Sequence, residues 1–352
     1  MTVQWAKHTN LKGTLSEPMA CSVLVPFRNE AKNLEALVHA LNSQTHPNFE
    51  VVFIDDHSED SGVEILYKFL ATNELKARVI SLSDSSGKKA ALKLGIETAR
   101  HELIVTTDAD CLMKPQWLES LIIPFETKSV QMVLGSVMLV GKSTWQEIQS
   151  IEFSPLIGVT GVMAKAGKPV MANGANLAYR KSAFQAVEGF NNIESSPSGD
   201  DELLMNKLQK HFGKAIVFNG SPNALVETAA FEDWGQFKNQ RIRWASKWKL
   251  AARPMTIFTA LVVVLIQLAQ VSAYWWLAQN QAVALFSAVL VSKFLSELIF
   301  ISSVRSHFGH RTYIHYFLLC FILYPFYAIY FGIAANFKNF EWKGRNYPSI
   351  VR

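Results

Sequence analysis

Up to about residue 250 the chain alternates short apolar runs with amphipathic segments. Four runs of mainly aliphatic and β-branched residues predict strands at residues 21–25, 50–54, 78–82 and 102–106. Between the runs the apolar positions follow a helical period, as at Leu34, Leu37, Val38 and Leu41. This alternation predicts a mostly parallel sheet that helices cover on both faces. Such sheets bind ligands at the carboxyl ends of their strands, so the residues after each strand are the candidate site.

From residue 255 onward the chain is dominated by apolar residues. Two stretches, 255–278 and 283–303, are long enough to cross a bilayer, which needs about 20 apolar residues. A third stretch, 313–335, is equally apolar but contains Pro325. Trp275 and Trp276 lie near one end of the first stretch, where interfacial aromatic residues are expected. The pattern predicts an integral membrane protein.

The charges of the loops predict an orientation for these stretches. Loop 279–281 has no Lys or Arg and is predicted outside, whereas loop 304–311 contains Arg305 and Arg311 and is predicted inside. The basic tail after residue 336 would also lie inside, which three full crossings do not allow. Either 313–335 is a re-entrant hairpin broken at Pro325, or the positive-inside rule fails here. The sequence leaves both alternatives open.

The overall composition adds little beyond these two regions. The chain has 352 residues, a formal net charge of +5 and 49% hydrophobic residues, which fit a large catalytic domain with a smaller membrane region. Its three cysteines show no metal-like spacing and indicate a reducing compartment. The N-terminus lacks the apolar segment of a signal peptide. We therefore expect a cytoplasmic catalytic domain at a bacterial inner membrane, with no nucleic-acid partner.

Polar and acidic residues follow three of the predicted strands. They are Pro26, Arg28 and Glu30 after the first strand, Asp55 and Asp56 after the second, and Asp108 and Asp110 after the fourth. Carboxylates gathered at one sheet edge repel each other, and a hard divalent cation bound to phosphate oxygens relieves this repulsion. The D-x-D spacing by itself is a weak signal, because solvated acidic turns are common.

Two predicted helices begin with charged residues. Lys88 follows Gly87 at one helix start, where a diphosphate needs a counter-charge. An ordinary basic first turn is the alternative, although it is unfavourable against the helix dipole. Asp200, Asp201 and Glu202 open another helix, and there capping alone explains the acidic residues.

A basic segment precedes the first apolar stretch. Residues 237–253 include six Lys or Arg residues and no acidic residue. Phe237, Trp244, Trp248 and Ala251 share one helical stripe. The segment therefore predicts an amphipathic helix that lies in the lipid interface.

The ordered motifs VPFRNE, IDDHSED, GKKAAL, DAD, GDDELL and QRIRW resemble those of family-2 inverting glycosyltransferases. That family includes cellulose, chitin and hyaluronan synthases and ceramide glucosyltransferase, and the resemblance covers roughly residues 20 to 250. It implies an α/β fold of the GT-A type: a nucleotide-sugar-binding mixed sheet with helices on both faces, followed by C-terminal transmembrane helices. The predicted regions are an extension (1–19), a catalytic domain (20–235), an interfacial helix (236–253), two or three spans (254–336) and a basic tail (337–352).

The resemblance also implies roles for individual residues. Asp201 would be the general base, with Asp200 beside it, and Asp110 would ligate Mg²⁺ or Mn²⁺ together with Asp108. The implied donor-binding residues are Pro26, Arg28, Glu30, Asp55, Asp56, Lys88, Asp108 and Asp110. The implied acceptor or diphosphate contacts are Asn173, Gly174, Asn176, Gln240, Arg243 and Trp244.

The sequence departs from the family pattern in two places and carries one unusual pair. His57 stands where glycine is common, and Asp200 stands where glutamate is more usual. Lys293 and Glu297 lie four residues apart inside the second apolar stretch. Their simplest role is a buried or snorkelling ion pair, and a place in an acceptor path is the alternative.

The resemblance implies a metal-dependent hexosyl- or N-acetylhexosaminyl-transferase. It would move a sugar from a nucleotide-diphospho-sugar, with a UDP-sugar favoured, to a lipid or lipid-linked acceptor at the cytoplasmic face, in contact with membrane lipids. One alternative is a processive polysaccharide synthase, although two or three spans are few for a channel. A nucleotidyltransferase would have a glycine-rich loop after the first strand, which VPFRNE is not. A catalytically inactive nucleotide-sugar-binding membrane regulator is the non-enzymatic alternative. The sugar, the acceptor and the oligomeric state are not determined by the sequence.

Overall fold

The computed structural model describes Trp5 and residues 19–193, 199–246, 254–337 and 339–347. The chain divides into two compact units. The sheet unit comprises Val3–Leu139 and Val159–Ala229; the helical unit comprises Val140–Gly158 and Ala230–Arg352, together with Met1–Thr2. The contiguous division predicted from the sequence therefore differs from the observed units, because 140–158 pack with the C-terminal region. Much of the predicted extension, and residues 247–253 with Trp248 and Ala251, lie outside the described residues.

Ten strands lie among the described residues before position 230. They are β1 (Cys21–Phe27), β2 (Phe49–Asp55), β3 (Ala77–Ser81), β4 (Leu103–Thr106), β5 (Cys111–Met113), β6 (Met132–Gly135), β7 (Val137–Val140), β8 (Leu177–Arg180), β9 (Ile216–Asn219) and β10 (Val226–Ala229). Seven of them form one sheet in the order β3-β2-β1-β4-β8-β6-β9, and β5, β10 and β7 form a second, smaller sheet.

The large sheet is mixed, as the resemblance implied, and the mostly parallel sheet predicted from the strand–helix alternation is a partial description. The first four strands pair in parallel, whereas β8 runs antiparallel to both β4 and β6. All seven residues of β1 are buried, as expected for a central parallel strand covered on both faces. The direction of β8 depends on the path of the chain between residues 140 and 177, which local periodicity does not report.

Seven helices lie among the described residues between 31 and 212. They are α1 (Ala31–Asn42), α2 (Gly62–Leu70), α3 (Lys88–Thr98), α4 (Trp117–Ile122), α5 (Thr144–Lys165), α6 (Lys181–Ala186) and α7 (Glu202–Phe212); a 3-10 turn, Ile123–Glu126, follows α4. The predicted apolar face of α1 is confirmed, since Leu34, Leu37, Val38 and Leu41 are all buried.

Helices α3 and α7 share one hydrophobic core with the large sheet. Leu92 and Ile96 of α3 and Leu204 and Leu208 of α7 belong to the same cluster as Leu24 of β1. Burying such a side chain stabilises the fold by about 1.5–3 kcal/mol. The shared core fixes both helices on the sheet, and thereby fixes the positions of their first residues.

The described part of the helical unit has four further helices and a short hairpin. They are α8 (Trp234–Ser246), α9 (Pro254–Ala278), α10 (Val283–His307) and α11 (Ile314–Ala334), followed by β11 (Phe340–Trp342) paired with β12 (Arg345–Tyr347). Three segments, Leu261–Ala278, Val283–His307 and Ile314–Ala334, are long and apolar enough to cross a membrane. Large apolar side chains such as Leu265, Leu285 and Ile314 are about 60% exposed on them, as lipid-facing residues would be.

The third apolar segment is a single helix that continues through Pro325. Proline lacks an N–H and so leaves the carbonyl four residues earlier without its helical donor. That carbonyl belongs to Phe321, and it accepts hydrogen bonds from Gln270 Nε2 (3.0 Å) and the Tyr274 hydroxyl (3.3 Å) of α9. A neighbouring helix thus satisfies the exposed backbone group. The re-entrant hairpin broken at Pro325 is therefore wrong.

Arg305, one of the two basic residues used to predict the orientation, is buried in the helical unit. Its guanidinium lies 2.9 Å from the Glu147 carboxylate and donates to the Ser150 hydroxyl and to the Arg311 carbonyl. The charge of Arg305 is therefore compensated within the protein. The three cysteines are free.

Candidate active site

The turn after β2 is shaped by residues that were predicted to bind the donor. Arg28 donates to the backbone carbonyls of Asp56 (3.0 Å) and His57 (2.8 Å) and pairs with Glu59 at 2.8 Å. His57 has φ = 59°, in the left-handed region that favours glycine. Its position explains why glycine is common there, and its ring stays 3.3 Å from the Asp56 carboxylate. Arg28 thus holds this turn in place.

The two aspartates that end β2 have different partners. Asp55 is buried and accepts a hydrogen bond from the Ser58 amide at 3.0 Å, which closes the turn. Asp56 is also buried and accepts from the Gly87 amide at 3.0 Å. Because Gly87 caps α3, Asp56 connects the end of β2 to the helix that begins with Lys88.

Glu30 and Pro26 lie at the end of β1. Glu30 is 7% exposed, immediately precedes α1, and accepts a hydrogen bond from Asn33 Nδ2 at 2.5 Å. Pro26 is buried within the strand opposite Ile54 of β2. These contacts are with protein atoms, so the predicted nucleotide contacts of both residues stay predictions.

Lys88 lies at the centre of the candidate site. Its Nζ is 2.5 Å from Asp108 Oδ1 and 3.6 Å from Asp200 Oδ2. A Cβ added to Gly174 would lie 3.1 Å from the same Nζ and 2.9 Å from Asp200 Oδ2. Residues from three other parts of the chain therefore surround this ammonium group: the turn after β4, the loop before β8 and the residue before the α7 cap.

The carboxylates around Lys88 keep it charged. Burial by itself would lower the pKa of the Lys88 ammonium, but the nearby charges of Asp108, Asp200 and Asp201 outweigh burial and raise that pKa above its ordinary value. Lys88 is thus a fixed positive charge at the carboxyl ends of the strands, where an anionic ligand would bind.

Asp201 caps α7, as predicted from the acidic residues that open this helix in the GDDELL motif. Its Oδ1 accepts from the Glu202 amide at 2.7 Å and its Oδ2 from the Gly174 amide at 3.2 Å. These two backbone donors fix the orientation of the Asp201 carboxylate. Capping and chemistry are therefore compatible at this residue.

The loop before β8 contributes backbone as well as side chains. Thr106 of β4 donates from its hydroxyl to the Gly174 carbonyl at 2.8 Å, which anchors the loop to the sheet. Asn173 accepts from the Ala175 amide within the loop. Gly174 brings the loop close to Lys88 and Asp201, since a larger residue would meet these side chains.

Asn176 has a structural role, and its predicted contact with the acceptor or diphosphate stays a prediction. It is fully buried, donates to the carbonyls of Ser136 and Ala224 at 2.7 Å, and accepts from Trp117 Nε1 at 3.0 Å. All three hydrogen bonds are to protein atoms. Asn176 therefore supports the loop from behind.

The predicted metal ligands lie on the turn after β4. Asp108 is 36% exposed at its side chain, and Asp110 is exposed. Among the residues that the structure describes, no group of three or more His, Cys, Asp or Glu side chains is arranged to hold a metal ion. Two hard oxygen ligands match the way Mg²⁺ is usually held, by one or two carboxylates together with substrate phosphates.

Gln240, Arg243 and Trp244 belong to the helical unit, on α8. All three are half-buried. Trp244 packs on Phe153 with ring centroids 5.6 Å apart. The structure describes these three residues in a different unit from Lys88 and Asp201, so their roles toward the donor stay predictions.

The predicted lipid-facing stripe of α8 is wrong for Phe237. This residue is 2% exposed and packs against Trp145, Tyr327 and Phe331 of the same unit. The aromatic face of α8 covers protein because α5 and α11 supply matching aromatic surfaces. Periodicity alone finds an apolar face but does not say what it packs against.

Sequence reasoning missed two buried groups. Tyr179 of β8 is 1% exposed; burial and the charge of Asp200 raise the pKa of its phenol, and its hydroxyl has no hydrogen-bond partner within the described ranges. Arg241 lies inside the QRIRW motif and pairs with Glu152 of α5 at 2.5 Å. A charged residue between two motif positions on the buried face of a helix was the available signal for Arg241.

The mixed sheet, the charged strand ends and the apolar C-terminal helices define a GT-A-like fold with candidate membrane spans. The mannosyltransferase PcManGT from Pyrobaculum calidifontis, solved in complex with GDP-Man and Mn²⁺, is similar in structure with a TM-score of 0.62. It is 18% identical in sequence, and the similarity covers 93% of this chain and 92% of that chain. At this identity the similarity establishes the fold.

Residues 22–188 match the family model described as "Glycosyl transferase family 2", and this region of the chain belongs to that family. The predicted family and the GT-A-like fold are thereby confirmed. The match includes the turns after β1, β2 and β4 and the loop before β8, and it ends before Asp200.

Two curated relatives show the range of the family. The chain is 27% identical over 227 residues to a poly-beta-1,6-N-acetyl-D-glucosamine synthase of Staphylococcus epidermidis, covering 64% of this chain and 53% of the relative. It is 36% identical over 104 residues to an undecaprenyl-phosphate 4-deoxy-4-formamido-L-arabinose transferase of Aeromonas hydrophila, covering 29% and 32%. The matches thus span about half or less of the length of these relatives.

Proposed function

We propose that this chain transfers a sugar from a nucleotide-diphospho-sugar, with a UDP-sugar favoured, to a lipid or lipid-linked acceptor, with inversion at the anomeric carbon. The membership of residues 22–188 in glycosyl transferase family 2 supports glycosyl transfer. The choice of hexose or N-acetylhexosamine depends on the shape of the donor pocket.

One observation carries the proposal: a charged lysine lies beside an oriented carboxylate at the ends of the strands. Lys88 is held by Asp108 and Asp200, and Asp201 is fixed by the Gly174 amide next to them. A diphosphate needs a positive charge, and an acceptor hydroxyl needs a base close to the reacting carbon. The cluster has both groups: the positive charge of Lys88 and the carboxylate of Asp201.

The reaction is a single displacement. The acceptor oxygen forms a bond to the anomeric carbon while the bond from that carbon to the diphosphate oxygen breaks, and its electron pair leaves with the nucleoside diphosphate. Asp201 takes the proton of the acceptor hydroxyl. Lys88 stabilises the negative charge that develops on the leaving diphosphate. Attack from the face opposite the leaving group inverts the anomeric configuration.

Asp108 and Asp110 would hold a divalent cation. Both are hard oxygen donors on one turn and Asp110 is exposed, so they fit Mg²⁺ or Mn²⁺ that is also bound by donor phosphates. The bound cation would supply further neutralisation of the diphosphate charge. Lys88 would then exchange part of its contact with Asp108 for donor oxygens.

A membrane acceptor is supported by the helical unit. Three of its helices are long and apolar enough to cross a membrane. A relative named as an undecaprenyl-phosphate sugar transferase is consistent with a lipid phosphate acceptor. We place the catalytic domain on the cytoplasmic side, with membrane lipids as partners, and assign acceptor or diphosphate contacts to Gln240, Arg243 and Trp244.

The test is a donor panel offered to the full chain in native membranes with Mn²⁺ or Mg²⁺. Nucleotide release and the mass shift of extracted lipids are read together. We expect one nucleotide sugar to give both signals, and EDTA to abolish them. No release and no lipid shift with any donor would contradict the proposal.

The similarity to a named polysaccharide synthase keeps a processive product as the second candidate. The two functions differ in product size. Single addition gives a lipid shifted by one sugar residue, whereas processive synthesis gives long polymer from the same donor. Gel filtration of the radiolabelled product separates these outcomes.

Asp201→Asn and Asp200→Asn test the base and exclude an inactive binding protein. We expect Asp201→Asn to lower turnover by about 10²–10⁴-fold and to keep donor binding, as loss of a general base would. Asp200→Asn should weaken donor binding more than turnover, because Asp200 orients Lys88. Unchanged turnover in Asp201→Asn would refute the base assignment, and absence of turnover in the unaltered chain would favour the inactive regulator.

A further inference from the structure

Arg241 occupies an unusual position for a charged side chain. It is 4% exposed on α8, and its guanidinium carbon lies 4.6 Å from the ring centre of Phe237 and 4.5 Å from that of Trp244. The three residues are spaced four and three positions apart and share one helix face. Arginine stacks on aromatic rings in this way because its charge is delocalised over a planar group.

The polar edge of the same guanidinium also contacts two other helices. Its NH2 pairs with Glu152 of α5 at 2.5 Å, and its Nε donates to the Tyr327 hydroxyl of α11 at 2.6 Å. The Tyr327 hydroxyl in turn donates to the second Glu152 oxygen at 3.0 Å. Burial by itself would lower the pKa of Arg241, but the Glu152 carboxylate raises it, so the group stays charged. A buried charge with these partners has one preferred orientation.

Arg241 also contacts Gln240 and Trp244, two residues of the QRIRW motif. Its NH1 donates to Gln240 Oε1 at 2.5 Å, and its face lies against the Trp244 ring. Gln240 and Trp244 are residues assigned to the acceptor or diphosphate. One guanidinium therefore connects a fixed anchor, Glu152 with Tyr327, to both of these side chains.

We propose that Arg241 is a positioning residue, held by Glu152 and Tyr327, that sets the orientation of Gln240 and Trp244 toward the acceptor. This inference rests on the proposed function for its effect on turnover, but the orientation of Trp244 is a property of the protein alone. Arg241 acts through these neighbours and does not itself contact the reacting atoms.

The first measurement reads Trp244 directly. The full chain is labelled with 5-fluorotryptophan in detergent micelles, and the ¹⁹F resonance that disappears in Trp244→Phe identifies Trp244. Arg241→Lys keeps the charge but removes the planar fork, and Glu152→Gln removes the anchoring charge. Both should shift or broaden this resonance.

Glu147→Gln is the matched control. Glu147 forms the same kind of carboxylate–arginine pair in the same unit, but with Arg305 instead of Arg241. The Trp244 resonance should stay unchanged in this variant. Should Arg241→Lys fail to fold, Tyr327→Phe removes only the hydroxyl between Arg241 and Glu152, and it should shift the same resonance.

The second measurement separates positioning from general stability. In Arg241→Lys and Glu152→Gln we expect the KM for the lipid acceptor to rise about tenfold, the size expected for one lost hydrogen bond to a charged group. The donor affinity should stay within about twofold, since the donor residues lie elsewhere. An equal loss of acceptor affinity and of donor affinity would indicate a purely structural role for Arg241 and would overturn the proposal.

The two proposals fail in different ways. If no donor or lipid acceptor is turned over but the Trp244 resonance moves as expected, the proposed function is wrong and the positioning role stands. If transfer occurs but Arg241→Lys and Glu152→Gln change neither the resonance nor the acceptor KM, the positioning role is refuted. The same holds if Glu147→Gln produces an equal resonance shift.

Discussion

The Nζ atom of Lys88 lies 2.5 Å from Oδ1 of Asp108, and this ion pair joins the first turn of α3 to the turn after β4. The side chains are 16% and 36% exposed, so the pair lies at the edge of the interior. Because Asp200 is only 3.6 Å from the same ammonium, Lys88 interacts with more than one carboxylate. An anionic sugar donor would compete with these carboxylates for the Lys88 ammonium group.

Replacing Lys88 should therefore affect donor binding most. In Lys88→Gln we expect the donor Kd to rise about 10–100-fold, as for the loss of a hydrogen bond from a charged group to a diphosphate. Lys93→Gln is the control, because Lys93 is exposed on the same helix. Isothermal titration with the nucleotide sugar measures both variants, and equal affinities would show that Lys88 does not bind the donor.

Gly174→Ala should reduce activity with little change in stability. The added methyl group would lie 2.9 Å from Asp200 Oδ2 and 3.1 Å from Lys88 Nζ, and both atoms end flexible side chains that can move. We expect the free energy of unfolding to change by less than about 1 kcal/mol. Turnover should fall about tenfold or more, because the reacting groups are displaced.

Gly332→Ala is the matched control for this substitution, since an added methyl group there would meet no atom of the described residues within 4 Å. Thermal unfolding and nucleotide release are measured on both variants. Full turnover by Gly174→Ala would mean that the observed positions of Lys88 and Asp200 are not needed for transfer.

The contact between Gln270 and the Phe321 carbonyl should stabilise the membrane helices. Gln270→Leu removes one donor from the carbonyl that Pro325 leaves open, and we expect a loss of about 1 kcal/mol in detergent unfolding. In a Pro325→Ala background the new amide can donate to the same carbonyl, so the loss should become smaller.

Gln267→Leu serves as the comparison, one turn earlier on the same helix, where Gln267 is also buried. Its effect should be the same in both backgrounds. Equal losses for Gln270→Leu with and without Pro325 would show that the Phe321 carbonyl does not depend on this side chain.

Acidification should weaken the sheet unit through Glu50. Burial by itself would raise the pKa of Glu50, but hydrogen bonds from the Arg100 amide, the Ser22 hydroxyl and Arg78 lower it below its ordinary value of 4.5. A lowered pKa in the folded state means that the unfolded chain binds the proton more readily. The stabilisation is therefore present above about pH 5 and is lost as the pH falls through the folded pKa.

Glu50→Gln should remove this part of the pH dependence and cost about 1–3 kcal/mol at neutral pH, because Arg78 loses its charged partner. Urea unfolding at several pH values between 3 and 7 measures both effects. The change in the free energy of unfolding over the same pH interval is compared between the variant and the unaltered chain. If the free energy of unfolding depends on pH as steeply in Glu50→Gln as in the unaltered chain, other carboxylates dominate the acid response.

Local pattern was sufficient to predict the first strands and helices, which carry the candidate site. The period of Leu34, Leu37, Val38 and Leu41 reports which face of α1 is buried, and the first four strands follow from short apolar runs. The carboxyl ends of parallel strands meet at one edge, so the sequence by itself predicted that Asp56 and Asp108 lie at the same edge of the sheet. Periodicity and turn chemistry are properties of neighbouring residues, and the sequence displays them directly.

Contacts between distant parts of the chain were decided only by the tertiary structure. Asn176 reads as a loop amide, but Trp117, Ser136 and Ala224 enclose it. Phe237 reads as a lipid-facing residue, and α5 and α11 bury it instead.

By itself, the sequence determined the family, the strand–helix alternation, the apolar segments and the charged residues that can serve a nucleotide sugar. The structure decided that Lys88 faces Asp108 and Asp200, that α11 continues through Pro325, and that Arg241 is anchored by Glu152. The physical reason is the same in each case. A side chain's charge and polarity are local properties, whereas its partner is chosen by packing between residues that are far apart in the chain.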